Sequence, residues 1–457
     1  MERLGSASLI LACLWAASPA CAQTTELVSI DRSGAQVPEA SQAVVSSTGR
    51  YVLFRNAGAF PTGGQDPHGW YLRDRQAGTT ELVTRNNAGE TAVCVGAYGG
   101  TEFADMSADA RFVAFSSRAC NIDPDASTPK YRAYLLDRQQ NQVRLIGPNA
   151  STEAFAPRID DSGRRVAMLV GSPNTELRWY DLASGETGSL GRSGDFAISG
   201  NGRRIAFIGR LPDLPDSVVW NQMYVFDIDS RQTRLASRAL DGGFSNGRLA
   251  RPTLNRDGSV LVYESYATNL ASGAGEYAPI IHYVDQQRSD ALRNAQGQPW
   301  YGDSPHLSDD GTRIAIRGGF PGQVSNYPHA FAYDTSTRQF MLVSQNSEGM
   351  PASMGSTSDA CENQPPGVCP IGSIRLFEQS PTISGDGRYV GFHSFGTNLV
   401  DNDANGEGVD VYLRDLGSYS SGGIPFVAPV PLAASLKWLL AALVLAVALR
   451  VAPLQRR

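Results

Sequence analysis

The chain has 457 residues, with 47 Gly, 26 Pro and only 18% charged residues. This composition suits many short strands joined by turns and excludes a coiled coil or a disordered chain. With 39 basic against 45 acidic residues the formal charge is −6, and no Lys/Arg cluster in the body could neutralise a row of phosphates, so nucleic acid is excluded as a partner.

Residues 1–22 read as a secretory signal: Arg3 is the basic end, Leu9 to Ala17 is apolar, and Ala20-Cys21-Ala22 fits the small-x-small cleavage rule. Cleavage there leaves Gln23 as the mature start. A lipoprotein signal would modify Cys21 instead, but Ser18 stands where an aliphatic residue is required. Export leaves four cysteines, Cys94, Cys120, Cys361 and Cys369, which allow three pairings. No Cys-x-x-Cys spacing points to zinc. Two disulfides in an oxidising compartment are expected, Cys94 with Cys120 and Cys361 with Cys369, with free buried thiols as the alternative.

From residue 46 onward one phrase recurs seven times. Its clean form, Ser-x-x-Gly-Arg-x-Val-x-Phe, appears at Ser46 to Phe54, Ser199 to Phe207 and Ser384 to Phe392. Looser copies run Ser107 to Phe115, Asp160 to Met168, Asn255 to Tyr263 and Ser308 to Ile316. Each copy is followed by an apolar strand closed by Asp, at Asp74, Asp137, Asp181, Asp227, Asp285, Asp334 and Asp415. The period-two apolar pattern after a Gly turn predicts strands A and B. The later Asp ends strand C, where its carboxylate can accept N–H groups of the next turn, and a fourth strand follows. One such sheet cannot bury its faces alone, whereas seven packed radially can, which predicts an all-β, seven-bladed β-propeller over residues 23–416.

The seventh unit stops after strand C at Tyr412 to Asp415 and supplies no strand D. Thr24 to Ser29 (TTELVS) nearly duplicates strand D of the first unit, Thr79 to Thr84 (TTELVT). The N-terminal strand is therefore expected to complete the last blade and lock the ring. These phrases resemble the TolB-like, WD-like propeller repeats of exported bacterial proteins, over roughly residues 24–416. Ala110 in place of the turn Gly and Met168 in place of the aromatic depart from the pattern. The resemblance implies a platform for protein recognition, with no enzymatic residues to carry across.

The surplus length falls in B-to-C loops (56–69, 117–130, 394–409) and D-to-A connections (86–101, 345–379). In an antiparallel blade both emerge on one face and the tight turns on the other. The elaborated face is thus the expected recognition face, for an unknown protein partner of a monomeric propeller. Within the last B-to-C loop, Asp401, Asp403 and Asn405 with Gly406 match half of a calcium loop, and Asp410 could stand in for the missing Glu. A solvated Asx-rich hairpin is the alternative. Gly243 to Gly247 fits Gly-x-Ser-x-Gly, but without the strand-to-helix setting that motif requires. The five histidines, His68, His282, His306, His329 and His393, show no metal spacing. No His or carboxylate recurs at inner-strand positions, so no catalytic residue is assigned and the protein is read as a non-enzyme. A structural surface or matrix component and a lyase or hydrolase acting in the channel are the competing readings.

After Asp415 comes a Gly/Ser linker (417–430), then Pro431, an apolar run from Leu439 to Leu449 behind Trp438, and a basic end at Arg450, Arg456 and Arg457. Residues 431–457 resemble the C-terminal sorting tails of Gram-negative exported proteins. The resemblance implies a transmembrane-type helix with its arginines cytoplasmic, either retained as an anchor or cleaved to release the propeller.

Overall fold

In all seven copies the first residue of the phrase ties the turn that follows to itself. Its side-chain oxygen accepts the backbone N–H five residues on: Ser46 from Tyr51, Ser107 from Phe112, Ser199 from Arg204, Ser308 from Arg313 and Ser384 from Tyr389, with Asp160 and Asn255 doing the same for Arg165 and Val260, all at 2.9–3.0 Å. That common role explains why Ser, Asp and Asn interchange there. The turn needs a left-handed residue, which Gly adopts cheaply, as at Gly387 (φ 71°). Ala110 takes the same conformation (φ 56°), so the second copy keeps the turn at some strain.

The Arg after the left-handed turn residue pairs with the Asp that ends strand C, in Arg50–Asp74, Arg111–Asp137, Arg164–Asp181, Arg203–Asp227 and Arg388–Asp415. The same Asp accepts N–H groups of the C-to-D turn; Asp181 Oδ1 receives those of Ala183 and Ser184, each at 3.1 Å. Arg50, Arg111 and Arg164 hold Asp74, Asp137 and Asp181 below the usual carboxylate range. The phrase's terminal Phe stacks on a strand C Tyr in four blades: Phe54–Tyr71, Phe115–Tyr134, Phe207–Tyr224 and Phe392–Tyr412, at 5.6–5.8 Å between centroids.

The computed structural model describes residues 23–417, apart from 38, 57–68, 93–102, 124, 126–127, 173, 213, 276, 320–328, 354–379 and 407. The described strands form seven four-stranded antiparallel sheets. Blade 1 runs Ala40–Val45, Tyr51–Asn56, Gly69–Asp74 and Thr79–Leu82 as strands A to D. Strands A of blades 2 to 7 are Ala104–Met106, Ala154–Ile159, Ser193–Ile198, Leu249–Leu254, Gly302–Leu307 and Thr382–Ile383. Blade 7 continues with Tyr389–Ser394 and Asp410–Asp415, and its fourth strand is Thr25–Leu27. That strand pairs Thr25 with Arg414, Glu26 with Leu413 and Leu27 with Tyr412, as the duplicated TTELV phrase predicts. Seven apolar clusters fill the seven gaps between neighbouring blades; the one between blades 7 and 1 holds Val28, Val37, Tyr71, Leu82, Val411 and Leu413.

A second closure lies on the tight-turn face, where the A-to-B turns join in a circle of backbone hydrogen bonds. Ser47 N donates to Ala108 O, Ala108 N to Asp161 O, Asp161 N to Gly200 O, Asn201 N to Arg256 O, Arg256 N to Asp309 O, Asp309 N to Gly385 O, and Asp386 N back to Ser47 O, all at 2.7–3.1 Å. Across this circle Arg256 of blade 5 reaches Asp161 of blade 3 (3.1 Å) and Asp309 of blade 6 (3.6 Å), and Asp309 accepts Ser47 Oγ of blade 1 at 2.9 Å. Glycine stands in the two intervening blades for a reason: a Cβ on Gly385 would collide with Ser47 Oγ and Asp309 Oδ2, and one on Gly200 would lie 2.6 Å from Asp161 Oδ2. The Gly385→Ala variant is therefore expected to lose about 1–3 kcal/mol, read as a lower urea midpoint at unchanged slope. Gly34→Ala, at an open position with φ 88°, separates backbone strain from collision in the same assay.

The D-to-A connections repeat a device that no sequence phrase announced. In five of them a seven-residue hairpin is closed by a bridge, Ile30 to Gln36, Arg85 to Thr91, Arg238 to Phe244, Arg293 to Pro299 and Gln345 to Pro351. Their stems lean on the next blade: Thr80 Oγ1 donates to Ile30 O at 2.7 Å and Tyr333 OH to Arg293 O at 2.9 Å.

Candidate functional site

Strand A is the innermost strand of each blade, so one of its backbone edges faces the central channel unpaired by any strand. Its register breaks within the first residues of the strand in five blades, and in four of them Gln42, Ala156, Arg251 and Ser304 take positive φ there. Proline follows at 157, 252 and 305, which an edge strand at a bulge tolerates because no ladder N–H is lost. Backbone N–H groups on the free edge of strand A are satisfied by side chains of the preceding blade. Asp105 Oδ2 accepts Ile159 N and Asp195 Oδ2 accepts Arg251 N, both at 3.0 Å, while His306 Nδ1 accepts Ile383 N at 3.3 Å.

Pairing with strand B aligns one level of this wall across the blades: Val44, Asp105, Arg158, Ala197, Thr253, His306 and Thr382 occupy equivalent positions. This level holds one carboxylate, Asp105, and one imidazole, His306, in different blades, so neither residue type repeats around the wall. Burial drives the His306 imidazole down to about 4, with Arg158 adding to the effect, so it is neutral at pH 7.

Nearer the long-connection face, blades 5 and 6 contribute an ionic network. Arg251 Nη1 donates to Glu264 Oε1 (2.7 Å) and Ser304 Oγ (2.9 Å), Ser304 N donates to Glu264 Oε1 (2.6 Å), and Arg317 clamps Asp303 with two bonds of 2.7 Å. Burial opposes ionisation of Asp303, but Arg317 and Arg251 outweigh it and hold the carboxyl low, whereas burial lifts Glu264. Beside the network Tyr266 meets Tyr277 edge-on at 4.7 Å, with Arg248 over Tyr266 at 5.8 Å. Tyr277 and Tyr301 are more than half exposed.

The residues singled out as calcium ligands divide. Gln36, from the hairpin between blades 7 and 1, places its Nε2 within 3.0 Å of Asp403 Oδ1, 2.9 Å of Asn405 Oδ1 and 2.8 Å of Asp410 Oδ2. Ser29 Oγ donates to Asp410 Oδ1 at 2.9 Å, and burial raises that carboxyl to about 6. Asp401 is exposed and stands outside the convergence. Among the described residues no group of three His, Cys, Asp or Glu side chains has metal-binding geometry. Gln36 came from a distant segment, beyond the reach of spacing arguments. Because its amide fills the convergent point, equal melting temperatures in calcium and in chelator are expected; a rise of several degrees with calcium would show that Gln36 yields to the cation.

Ser245 of the Gly-x-Ser-x-Gly match is buried in a D-to-A connection and donates to Gly247 O at 3.0 Å, with no helix after it. His282 and His329 are buried against Ser289 and Ser344. Cys120 lies in the B-to-C connection of blade 2; Cys94, Cys361, Cys369 and His68 fall outside the described residues, as do the signal and the tail. Among the described residues no helix is long and apolar enough to cross a membrane.

The fold and channel define a seven-bladed β-propeller closed by its N-terminal strand. No family model matches the sequence, and no curated protein matches it. Solved structures do: an oligogalacturonate lyase in complex with manganese aligns over 87% of this chain and 97% of its own at 14% identity, TM-score 0.53. An oligogalacturonate lyase from Vibrio parahaemolyticus aligns over 86% and 97% at 13% identity, TM-score 0.53. TolB from Acinetobacter baumannii aligns over 83% and 79% at 12% identity, TM-score 0.37. At these identities the likeness to the two lyases is one of fold.

Proposed function

We propose that this chain is an exported, envelope-located propeller that recognises a protein partner through its long-connection face and performs no chemistry. One observation carries the reading. Among the described residues the exposed large apolar side chains are Val219, Trp220, Leu240, Tyr277, Tyr301 and Met350, and every one lies on a B-to-C or D-to-A connection. Among the described residues the opposite face has none, and the circle of turns joins the blades there. Exposed aromatics on loops held by a rigid ring are the usual anchors of protein interfaces. The channel carboxylates support binding over catalysis, since Asp303 and Glu264 are committed to Arg317 and Arg251 and Asp105 to backbone N–H groups.

Thr24 O accepts Asp415 N at 2.9 Å, so the mature start and the tail's point of departure meet on the tight-turn side. In this reading residues 1–22 direct export, two disulfides (Cys94–Cys120 and Cys361–Cys369) brace the long connections, and 431–457 tether the ring with its long-connection face away from the bilayer. The test is capture from an envelope extract by the wild-type chain and by the triple variant Trp220→Ala, Tyr277→Ala, Tyr301→Ala. Loss of the captured partner, by tenfold or more, is expected. An unchanged partner would refute recognition by this face.

A further inference from the structure

We infer that the channel receives the C-terminal end of a partner polypeptide, whose carboxylate pairs with Arg158. The inference rests on the recognition reading above and adds the chemistry of what is recognised. Three observations carry it. First, Arg256, Asp161, Asp309 and Ser47 bridge blades 5, 3, 6 and 1 across the tight-turn end, so the channel is entered from the long-connection face, where the exposed tyrosines stand. A passage closed at one end admits a chain only by its terminus.

Second, Arg158 makes no hydrogen bond or ion pair with any described residue, while the other channel arginines Arg251 and Arg317 are each bound to carboxylates. Among the described residues only the longer-range charge of Asp105 answers this guanidinium, which leaves its N–H groups free to grip a ligand carboxylate with two parallel bonds. Third, its neighbours at the same level leave room and make no hydrogen bond to it. Ala197, Thr253, Val44 and Thr382 are small, His306 is neutral, and Asp105 is occupied by the N–H groups of Ile159 and Met106. Arg158 lies three residues above Asp161 and four below the start of its strand, so an extended end of about four residues, at roughly 3.3 Å each, reaches it from the mouth.

The test passes a random hexapeptide library with free C-termini, and the same library C-terminally amidated, over the immobilised full chain. Free-acid peptides should be retained at least tenfold over amides. Arg158→Met should abolish the preference, and Ala197→Phe, which fills the channel at that level, should abolish retention; thermal melts confirm that both variants fold. Equal retention of acid and amide, or a preference that survives both variants, overturns the inference. If a natural partner is captured through the aromatic face and Arg158→Met leaves it bound, recognition stands and the chain-end inference falls.

Discussion

A chain lacking residues 24–29 is expected to lose its cooperative melt, because this short segment supplies an entire strand of the ring. Val28 is fully buried among Val37, Tyr71, Leu82, Val411 and Leu413, and withdrawing it alone costs about 1.5–3 kcal/mol. Deletion also leaves Val411 O without the N–H groups of Val28 and Ser29, Val411 N without the Ser29 Oγ acceptor, Asp410 without Ser29, and Arg414 without the Thr25 Oγ1 acceptor 2.9 Å away. Each orphaned buried group costs about 1–3 kcal/mol. Together these approach the roughly 5–15 kcal/mol by which a folded domain is stable. Circular dichroism melts and gel filtration of the truncated and full chains measure it. A truncated chain melting within a few degrees of the full one would show that the ring closes without the strand. Val28→Asp, a milder lesion, should lower stability by about 3–5 kcal/mol while leaving residues 24–27 and 29 to pair.

The second large effect is a loss of stability on mild acidification, well before the carboxylates titrate. Burial drives His282 and His393 down to about 4, against an ordinary value of 6.5, so the folded ring keeps them neutral while the unfolded chain protonates. Their stability is complete above pH 6.5 and is lost as pH falls towards 4. At pH 5 each withholds about 2 kcal/mol, and His306 in the channel wall, lowered to the same value, withholds a similar amount. Asp161 and Asp410 act in the opposite sense: burial raises each to about 6, so the folded state takes up protons first and gains roughly 1 kcal/mol apiece by pH 5. The histidines win, and a net loss of about 3–4 kcal/mol between pH 7.5 and pH 5 is expected in urea midpoints. The Arg–Asp clamps hold their carboxylates low and contribute to the loss only below about pH 4. His282→Gln should flatten the slope; a midpoint that rises on going to pH 5 would contradict the assignment.

Blade number, strand order and closure were legible in the residues because each depends on local chemistry repeated seven times. A side-chain oxygen at the head of the turn, a Gly that can take positive φ, a Phe facing inward and an Asp that ends strand C all act within one blade, so their spacing along the chain is their spacing in space. The N-terminal strand was legible for the same reason, since its sequence copies a strand whose place was known. What tertiary structure decided is whatever joins different blades. Arg256 reaching Asp161 and Asp309, Gln36 entering the Asp403 to Asp410 hairpin, and Asp105, Arg158 and His306 meeting at one level of the channel link residues tens to hundreds of positions apart. Strand A bulges decide which of its side chains face the channel, and a bulge turns on backbone strain against an edge with no neighbour. The sequence pattern determined the ring; only closure of that ring determined what lies inside it.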